Sequence, residues 1–507
     1  MILPHKHFRD TKRLVSKIGA KKISDWLLKE GYYAEQYILP PCFSVDNFKI
    51  KRGPYYKIKK GKKRNDYFPT TADLINVSFP KSQLTDRTFG IVEPKIYHDI
   101  VWHLKKHWDK VVNHLFHKDN KISSYSFPIP ITKRAESKLG TLRAGRLIYE
   151  FIEMAENDLV AEAHNFKYQI KTDVKNFYPT VYTHSIAWAL HTKPVARSDR
   201  FKYLRLGTLL DKLVQNANDG CTNGLPIGPV TSDLISEIIL ASIDRECSKQ
   251  IRNKRINCIG VRFKDDYRFL CNSKTDGETI LKILQEQMRF FNLSLNEGKS
   301  DLKELPEGLF RPWTSEFQKI SLRYRKTISY KRFEIALLTV LQIDQNNPDT
   351  GVIDKFLSEL ITKDYKLKLS LKGKDFQKAF SLLLLLKERR SKAFPQILAI
   401  IELLIHKIDD KLLKRSIISS IRKILYKKLS NSTGNQYDLI WLCYLIKSNG
   451  LFKIKWPKKI YSEFIRSIKE NKQTYFNSES DIILFKKIGL PGTNKELVRH
   501  LALFPRD

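Results

Sequence analysis

The sequence predicts an α+β body followed by an all-α, helical-repeat-like region. Two observations carry this expectation. Between about residues 66 and 330, strand-like and helix-like patterns interleave without the regular alternation of a parallel sheet. From 331 to 507 helical periodicity dominates, with breaks at Asn346–Pro348, Lys372–Lys374, Pro395, Ser430–Gly434 and Pro457. Residues 1–65 stand ahead of both as a basic N-terminal extension. Three segments are therefore expected: 1–65, 66–330 and 331–507. No strict period recurs in the last, so its helical pairs predict either a solenoid or an irregular bundle.

Each element has a local cause. In the first segment, KKISDWLLKEGYY has helical spacing, and KIKRGPYYKIKKGKKR (Lys49–Arg64) interleaves nine Lys and Arg with Tyr55 and Tyr56. That run either tracks a phosphate backbone while the tyrosines stack on bases, or is a solvated basic loop. FKYQIKTDV alternates: Phe166, Tyr168, Ile170 and Thr172 point one way, while Lys167, Gln169, Lys171 and Asp173 point the other. This predicts a half-buried strand. PVTSDLISEIILASIDRECSKQI predicts a helix that starts near Pro229 and presents Leu234, Ile238 and Ala241 on one face. CIGVRFKDDYRFLCN predicts a hairpin turning at Lys264–Asp266. In KLLKRSIISSIRKILYKKL, Leu413, Ile417, Ile421 and Ile424 line one helical face.

Net charge is +37, from 91 basic and 54 acidic residues. Such an excess predicts nucleic acid as the leading partner; the alternatives are a generally basic proteome or a membrane-surface protein. The longest apolar runs, FSLLLLLK and ILAIIELLI, are too short to span a bilayer. The first residues, MILPHKHFRD, lack the apolar core of a signal peptide, which predicts a cytoplasmic protein without a membrane partner. No two of the six cysteines have C-x-x-C spacing, so they read as buried free thiols rather than a zinc or redox site. His184 reads as the start of a helix capped by Thr183.

Asp265 and Asp266 stand side by side in an apolar, aromatic stretch. Adjacent like charges repel, so the pair belongs on a solvated turn or beside a cation. A two-metal site needs hard oxygen ligands from more than one element. Asp173, at the end of the alternating strand, is the natural third carboxylate. Between them lies GLPIGPVTSDL (Gly224–Leu234), either a rigid loop whose backbone approaches a ligand or an ordinary loop-to-helix junction.

In this order the chain resembles the palm of reverse transcriptases. DVKNFYPTVYTHSIAWAL (Asp173–Leu190), NGLPIGPVTSDLISEIIL (Asn223–Leu240), RFKDDYRFL (Arg262–Leu270) and NLSLNEGKSDL (Asn292–Leu302) are similar to its four palm motifs. The wording is most similar to the abortive-infection and other phage-defence reverse transcriptases of bacteria. FYPTVYTHSIAWAL, GLPIGP and LLKEGYYAEQYILPPCFSV (Leu27–Val45) carry that closer resemblance. The resemblance implies right-hand fingers and palm followed by a C-terminal helical array. It implies a DNA polymerase that adds dNTPs by two-metal catalysis in antiviral defence, and relatives that form homo-oligomers. Some members start untemplated single-stranded DNA on a protein tyrosine, for which Tyr32, Tyr33, Tyr37, Tyr55 and Tyr56 are candidates here. Two alternatives stand beside this reading. One is an RNA-templated enzyme with a bound noncoding RNA; the other is a catalytically silent nucleic-acid-binding scaffold.

The resemblance also assigns residues. Asp173, Asp265 and Asp266, with the Val174 carbonyl, would hold two Mg²⁺ ions, or Mn²⁺ in their place. Tyr178 would be the sugar gate, a ring that leaves no room for a 2′-hydroxyl, or else core packing beside Phe177. Pro226 and Gly228 would shape the floor under the new base pair. Lys299 would face the pyrophosphate as general acid, or is a surface lysine. Lys133, Arg134, Arg143 and Arg146 would grip the triphosphate. Arg262 and Arg268 would reach the aspartates or phosphates, or form structural ion pairs. Two positions depart from the pattern: Phe263 stands for the usual tyrosine, and Ile227 for a common glutamine.

Overall fold

A computed structural model of the chain describes all residues except 1, 34–36, 61–64, 69–70, 83–84, 130–144, 349, 431–435, 461, 475–481, 486–487, 489–495 and 506–507. For 58–60, 65–68 and 145–151 the backbone alone is described. Two compact units result. One comprises Met1–Ala34, Asn47–Asn76 and Gly90–Phe310; the other comprises Glu35–Asp46, Val77–Phe89 and Arg311–Asp507.

The first unit is built on a five-stranded sheet. Its spatial order is Ile122–Ser124, Cys258–Phe263, Asp266–Cys271, Tyr168–Asp173 and Asp301–Glu304. The first pair is parallel and the rest are antiparallel. The expected hairpin forms as a tight turn: Phe263 pairs with Asp266, leaving Lys264 and Asp265 as the two turn residues. Lys264 takes the left-handed conformation, φ 53°, that so short a connection demands.

The sheet is covered on both faces. Tyr125, Ala155, Leu159, Ala163, Ile259, Val261, Leu270 and Leu309 form a core on one side, to which the helix Gly145–Glu162 contributes. The helices Val230–Asn253 and Lys274–Phe290 pack on each other, and both reach the sheet. The second approaches so closely that a β-carbon on Gly277 would lie 2.5 Å from Leu302 Cδ1. Two expectations are corrected by this sandwiching. The strand Tyr168–Asp173 is not half-buried, because Gln169, Ile170, Thr172 and Asp173 are all buried. The helix Val230–Asn253 buries far more than the expected face of Leu234, Ile238 and Ala241: every residue from Val230 to Asp244 is buried.

That helix carries charge into the interior. Arg262, 1% exposed, donates from Nε to Asp244 Oδ2 (2.9 Å) and from both terminal nitrogens to Glu237 (2.8 and 3.0 Å). Ser124 and Ser126 add hydroxyl donors to Glu237, and Tyr267 Oη donates to Asp244 Oδ1. Arg262 also donates to the Lys264 carbonyl at 3.0 Å, inside the turn itself. Arg268 pairs with Glu156 at 3.0 Å. Both arginines therefore form structural ion pairs with neighbouring helices.

The second unit is nearly all helical. Its helices from Pro312–Ile320 to Glu463–Glu470 pack on their next or next-but-one neighbours, the pattern of a stacked array. Phe394–Lys407 and Gln436–Ser448 form its interior. Lys411–Ser430 buries Ile417 and Ile421 as expected, with Leu425 rather than Ile424 in the next turn. Residues 37–39 pass through this unit: Tyr437 Oη donates to the Tyr37 carbonyl (2.6 Å) and Trp441 Nε1 to that of Ile38 (3.2 Å).

Removing one member of a buried ion set leaves the others uncompensated. Arg262→Met should cost roughly 3–5 kcal/mol, read as a fall in denaturant midpoint at unchanged slope. The triple variant Arg262→Met/Glu237→Gln/Asp244→Asn should recover part of that loss.

Candidate active site

The sheet brings Asp173, Asp265 and Asp266 to one end. Asp173 lies directly opposite Asp266 in the antiparallel register, a separation of roughly 4.5–5.5 Å between α-carbons. Asp265 sits in the adjoining turn, and its carbonyl accepts from Val174 N at 3.2 Å. Val174 is buried and bridges to Leu295, and the Asp173 carbonyl accepts from Asn296 N at 2.7 Å. The segment Asn292–Leu302 thus buttresses the first aspartate.

The electrostatics are those of an acidic cluster short of positive charge. Asp173 is buried, Asp265 half-buried, and Asp266 open to solvent at its surface. Protein crowded around Asp265, and then the charges of Asp173 and Asp266, push its carboxyl up to about 7. Crowding and Asp173 likewise raise Asp266 above the ordinary carboxylate value. Lys299 Nζ donates to Asp173 Oδ2 at 2.5 Å, and that hydrogen bond raises the lysine's pKa. The donor set suits a hard divalent cation in kind, and the raised carboxyls show the charge such a cation would neutralise. Among the described residues, no group of three or more His, Cys, Asp or Glu side chains is arranged to hold a metal ion.

Of the other expected residues, Tyr178 lies near enough for the charge of Asp265 to act on its hydroxyl. Tyr178 lies in the short helix Phe177–Thr180 that follows the strand, and its carbonyl accepts from Leu225 N at 2.9 Å. Gly224 N donates to the Val181 carbonyl at 2.8 Å, and Gly90 N to that of Ile227 at 2.9 Å. The first two bonds lace the Gly-Pro loop to the segment that follows Asp173. Pro226 and Gly228 are buried in it, and Gly228 has φ 127°, open only to glycine. Lys133, Arg134 and Arg143 lie outside the described residues. Arg146 falls in the helix Gly145–Glu162, with its side chain outside them too.

Of the candidate tyrosines, Tyr32 and Tyr33 are buried, and Tyr32 Oη donates to the Val92 carbonyl. Tyr37, Tyr55 and Tyr56 are half-buried. Tyr56 Oη is 2.7 Å from His103 Nε2, and burial pushes its hydroxyl up to about 12. Lys51 sits 4.1 Å over the Tyr55 ring. Thr183 makes no side-chain cap to the helix His184–His191; His184 Nδ1 instead meets Asp211 Oδ2 at 2.5 Å.

Sequence reasoning missed Asp233. Its buried carboxylate accepts from Tyr178 Oη through Oδ1, and Oδ2 lies 3.8 Å from Lys264 Nζ. A signal was present: Asp233, Glu237 and Asp244 follow one another along the helix within a stripe of about 40°. Three buried acids on one face of a helix need partners, and the structure supplies them.

A carboxyl whose folded-state pKa is raised stabilises the fold at low pH and loses that contribution as pH rises through the raised value. Asp265 should therefore make the cation-free protein less stable between its ordinary value of 3.8 and about 7. A divalent cation should reverse the loss. Melting curves at about pH 5 and about pH 8, with and without Mg²⁺, check both signs.

No curated protein matches the sequence. Among solved structures, the chain is similar to apo telomerase from Candida tropicalis (13% identity, 73% of this chain and 70% of that chain, TM-score 0.32). It is similar also to telomerase from Candida albicans in complex with a TWJ fragment of telomeric RNA (11% identity, 76% and 66%, TM-score 0.28). Residues 104–327 match the family described as reverse transcriptase (RNA-dependent DNA polymerase), and the three carboxylates lie within the matched stretch.

Proposed function

We propose that this chain is a DNA polymerase of reverse-transcriptase type that acts in phage defence. It adds dNTPs to a 3′-hydroxyl, or to a tyrosine hydroxyl, and releases pyrophosphate. The observation that carries this reading is the register: Asp173 opposite Asp266, with Asp265 in the turn between the hairpin strands. Two Mg²⁺ ions, or Mn²⁺, held by Asp173, Asp265, Asp266 and the Val174 carbonyl would lower the pKa of the attacking hydroxyl and neutralise charge on the pyrophosphate.

The remaining roles belong to the protein's own groups. Lys299, mostly exposed and now hydrogen-bonded to Asp173, is placed to turn toward the pyrophosphate and give it a proton. The Tyr178 ring blocks a 2′-hydroxyl. Pro226 and Gly228 form the floor under the base pair. Lys133, Arg134, Arg143 and Arg146 grip the triphosphate. The defence role, homo-oligomer formation and a tyrosine-primed start rest on the motif wording alone. Tyr32 and Tyr33 are buried, so Tyr37, Tyr55 and Tyr56, each half-buried, remain the candidates for a starting hydroxyl.

Incubating the full chain with dNTPs and Mg²⁺ should give either extended primers or a covalent mass shift of the protein. Asp265→Ala/Asp266→Ala should abolish both while melting cooperatively, and should remove protection in a plaque assay. Protection that survives this substitution would favour the silent scaffold. Lys299→Met should lower kcat on the order of a hundredfold with KM for dNTP little changed, as measured by single-nucleotide incorporation.

A further inference from the structure

Tyr178, Asp233 and Lys264 come from three separate stretches of the chain and meet at one carboxylate. Asp233 stands in the first turn of the helix Val230–Asn253 and is 6% exposed. A carboxylate so placed needs hydrogen bonds and positive charge. The helix N-terminus supplies part of the charge. Tyr178 Oη donates to one oxygen, and Lys264 Nζ lies 3.8 Å from the other. The backbone holds all three partners still. The Tyr178 carbonyl is bonded to Leu225 N, the Lys264 carbonyl to Arg262, and Asp233 sits in a helix buried on every side.

We propose that Asp233 is a positioning residue for sugar selectivity: it fixes the Tyr178 ring through the ring's hydroxyl, and Lys264 orients the carboxylate that does so. This deepens the proposed polymerase reading and rests on it. A ring fixed only at its α-carbon still swings about two side-chain torsions. One tied at both ends does not, and exclusion of a 2′-hydroxyl depends on a displacement of about one ångström. Lys264 occupies the turn between the strands that carry the aspartate pair, so the same carboxylate links the gate to the metal-binding end. No bond is made or broken by Asp233; it acts through Tyr178.

The test compares kcat/KM for a dNTP with that for the matching rNTP in the full chain. Tyr178→Ala removes the ring and should give the largest fall in discrimination. Tyr178→Phe keeps the ring and removes only the hydroxyl; it should lower discrimination roughly tenfold, the worth of one hydrogen bond to a charged group. Asp233→Ala should do the same, and Asp233→Asn, which still accepts a hydrogen bond, should retain most of the selectivity. The double variant Tyr178→Phe/Asp233→Ala should be no worse than Tyr178→Phe alone, because loss of the hydroxyl already removes its bond to Asp233. Additive losses, or unchanged discrimination in Tyr178→Phe and Asp233→Ala alongside a relaxed Tyr178→Ala, would overturn the positioning role and leave the gate standing. Unchanged discrimination in Tyr178→Ala would remove the gate itself. A wild-type chain that incorporates no nucleotide would overturn the polymerase reading and this inference together.

Discussion

The Arg262 guanidinium, enclosed by Glu237 and Asp244, is the interaction on which the acidic end of the sheet depends. It ties the strand leading into the turn to the central helix, and its bond to the Lys264 carbonyl fixes the turn's backbone. Burying three charges is costly, and the arrangement is tolerable only because each is met by more than one partner. The two serines and Tyr267 complete that satisfaction. A two-residue turn carrying Asp265 could otherwise flex away from Asp173, since the aspartates repel one another. The same helix holds Asp233 one turn before Glu237, so one rod positions both the hairpin and the Tyr178 ring.

Charge is distributed in opposition across the protein. The chain carries an excess of 37 positive charges, yet Asp173, Asp233, Glu237 and Asp244 are buried beside the turn aspartates. A polyanion is drawn to such an excess, and a cation to the carboxylates. Lys299 meets both: most of it is exposed, and its ammonium rests on Asp173.

Much of the site could be read from the sequence, because its parts are local. A strand ending in Asp173, a hairpin around Asp265 and a glycine-proline loop each announce themselves in a few residues. What the sequence hid was long-range. The periodicity of Val230–Asn253 gives one apolar face, but the packing around it buries all faces, and only then do Asp233, Glu237 and Asp244 require partners. Arg262 was legible as a charge near the turn, not as a buried fork, because its partners lie 18 and 25 residues away in sequence. The membership of residues 35–46 in the helical unit was hidden for the same reason. No local pattern there points to Tyr437 or Trp441.

That last contact has a consequence for how the polypeptide is made. Trp441 and Ile38 are 403 positions apart, and a ribosome adding about 5–20 residues per second needs tens of seconds to bridge that distance. During this interval Ile38, Leu39 and Phe43, destined for the interior, lack the partners they meet in Trp441, His500, Phe464 and Phe485. The helical array can therefore be completed only after synthesis has passed residue 441. Until then the nascent chain depends on chaperones, or on temporary contacts of its own, to shield that strip.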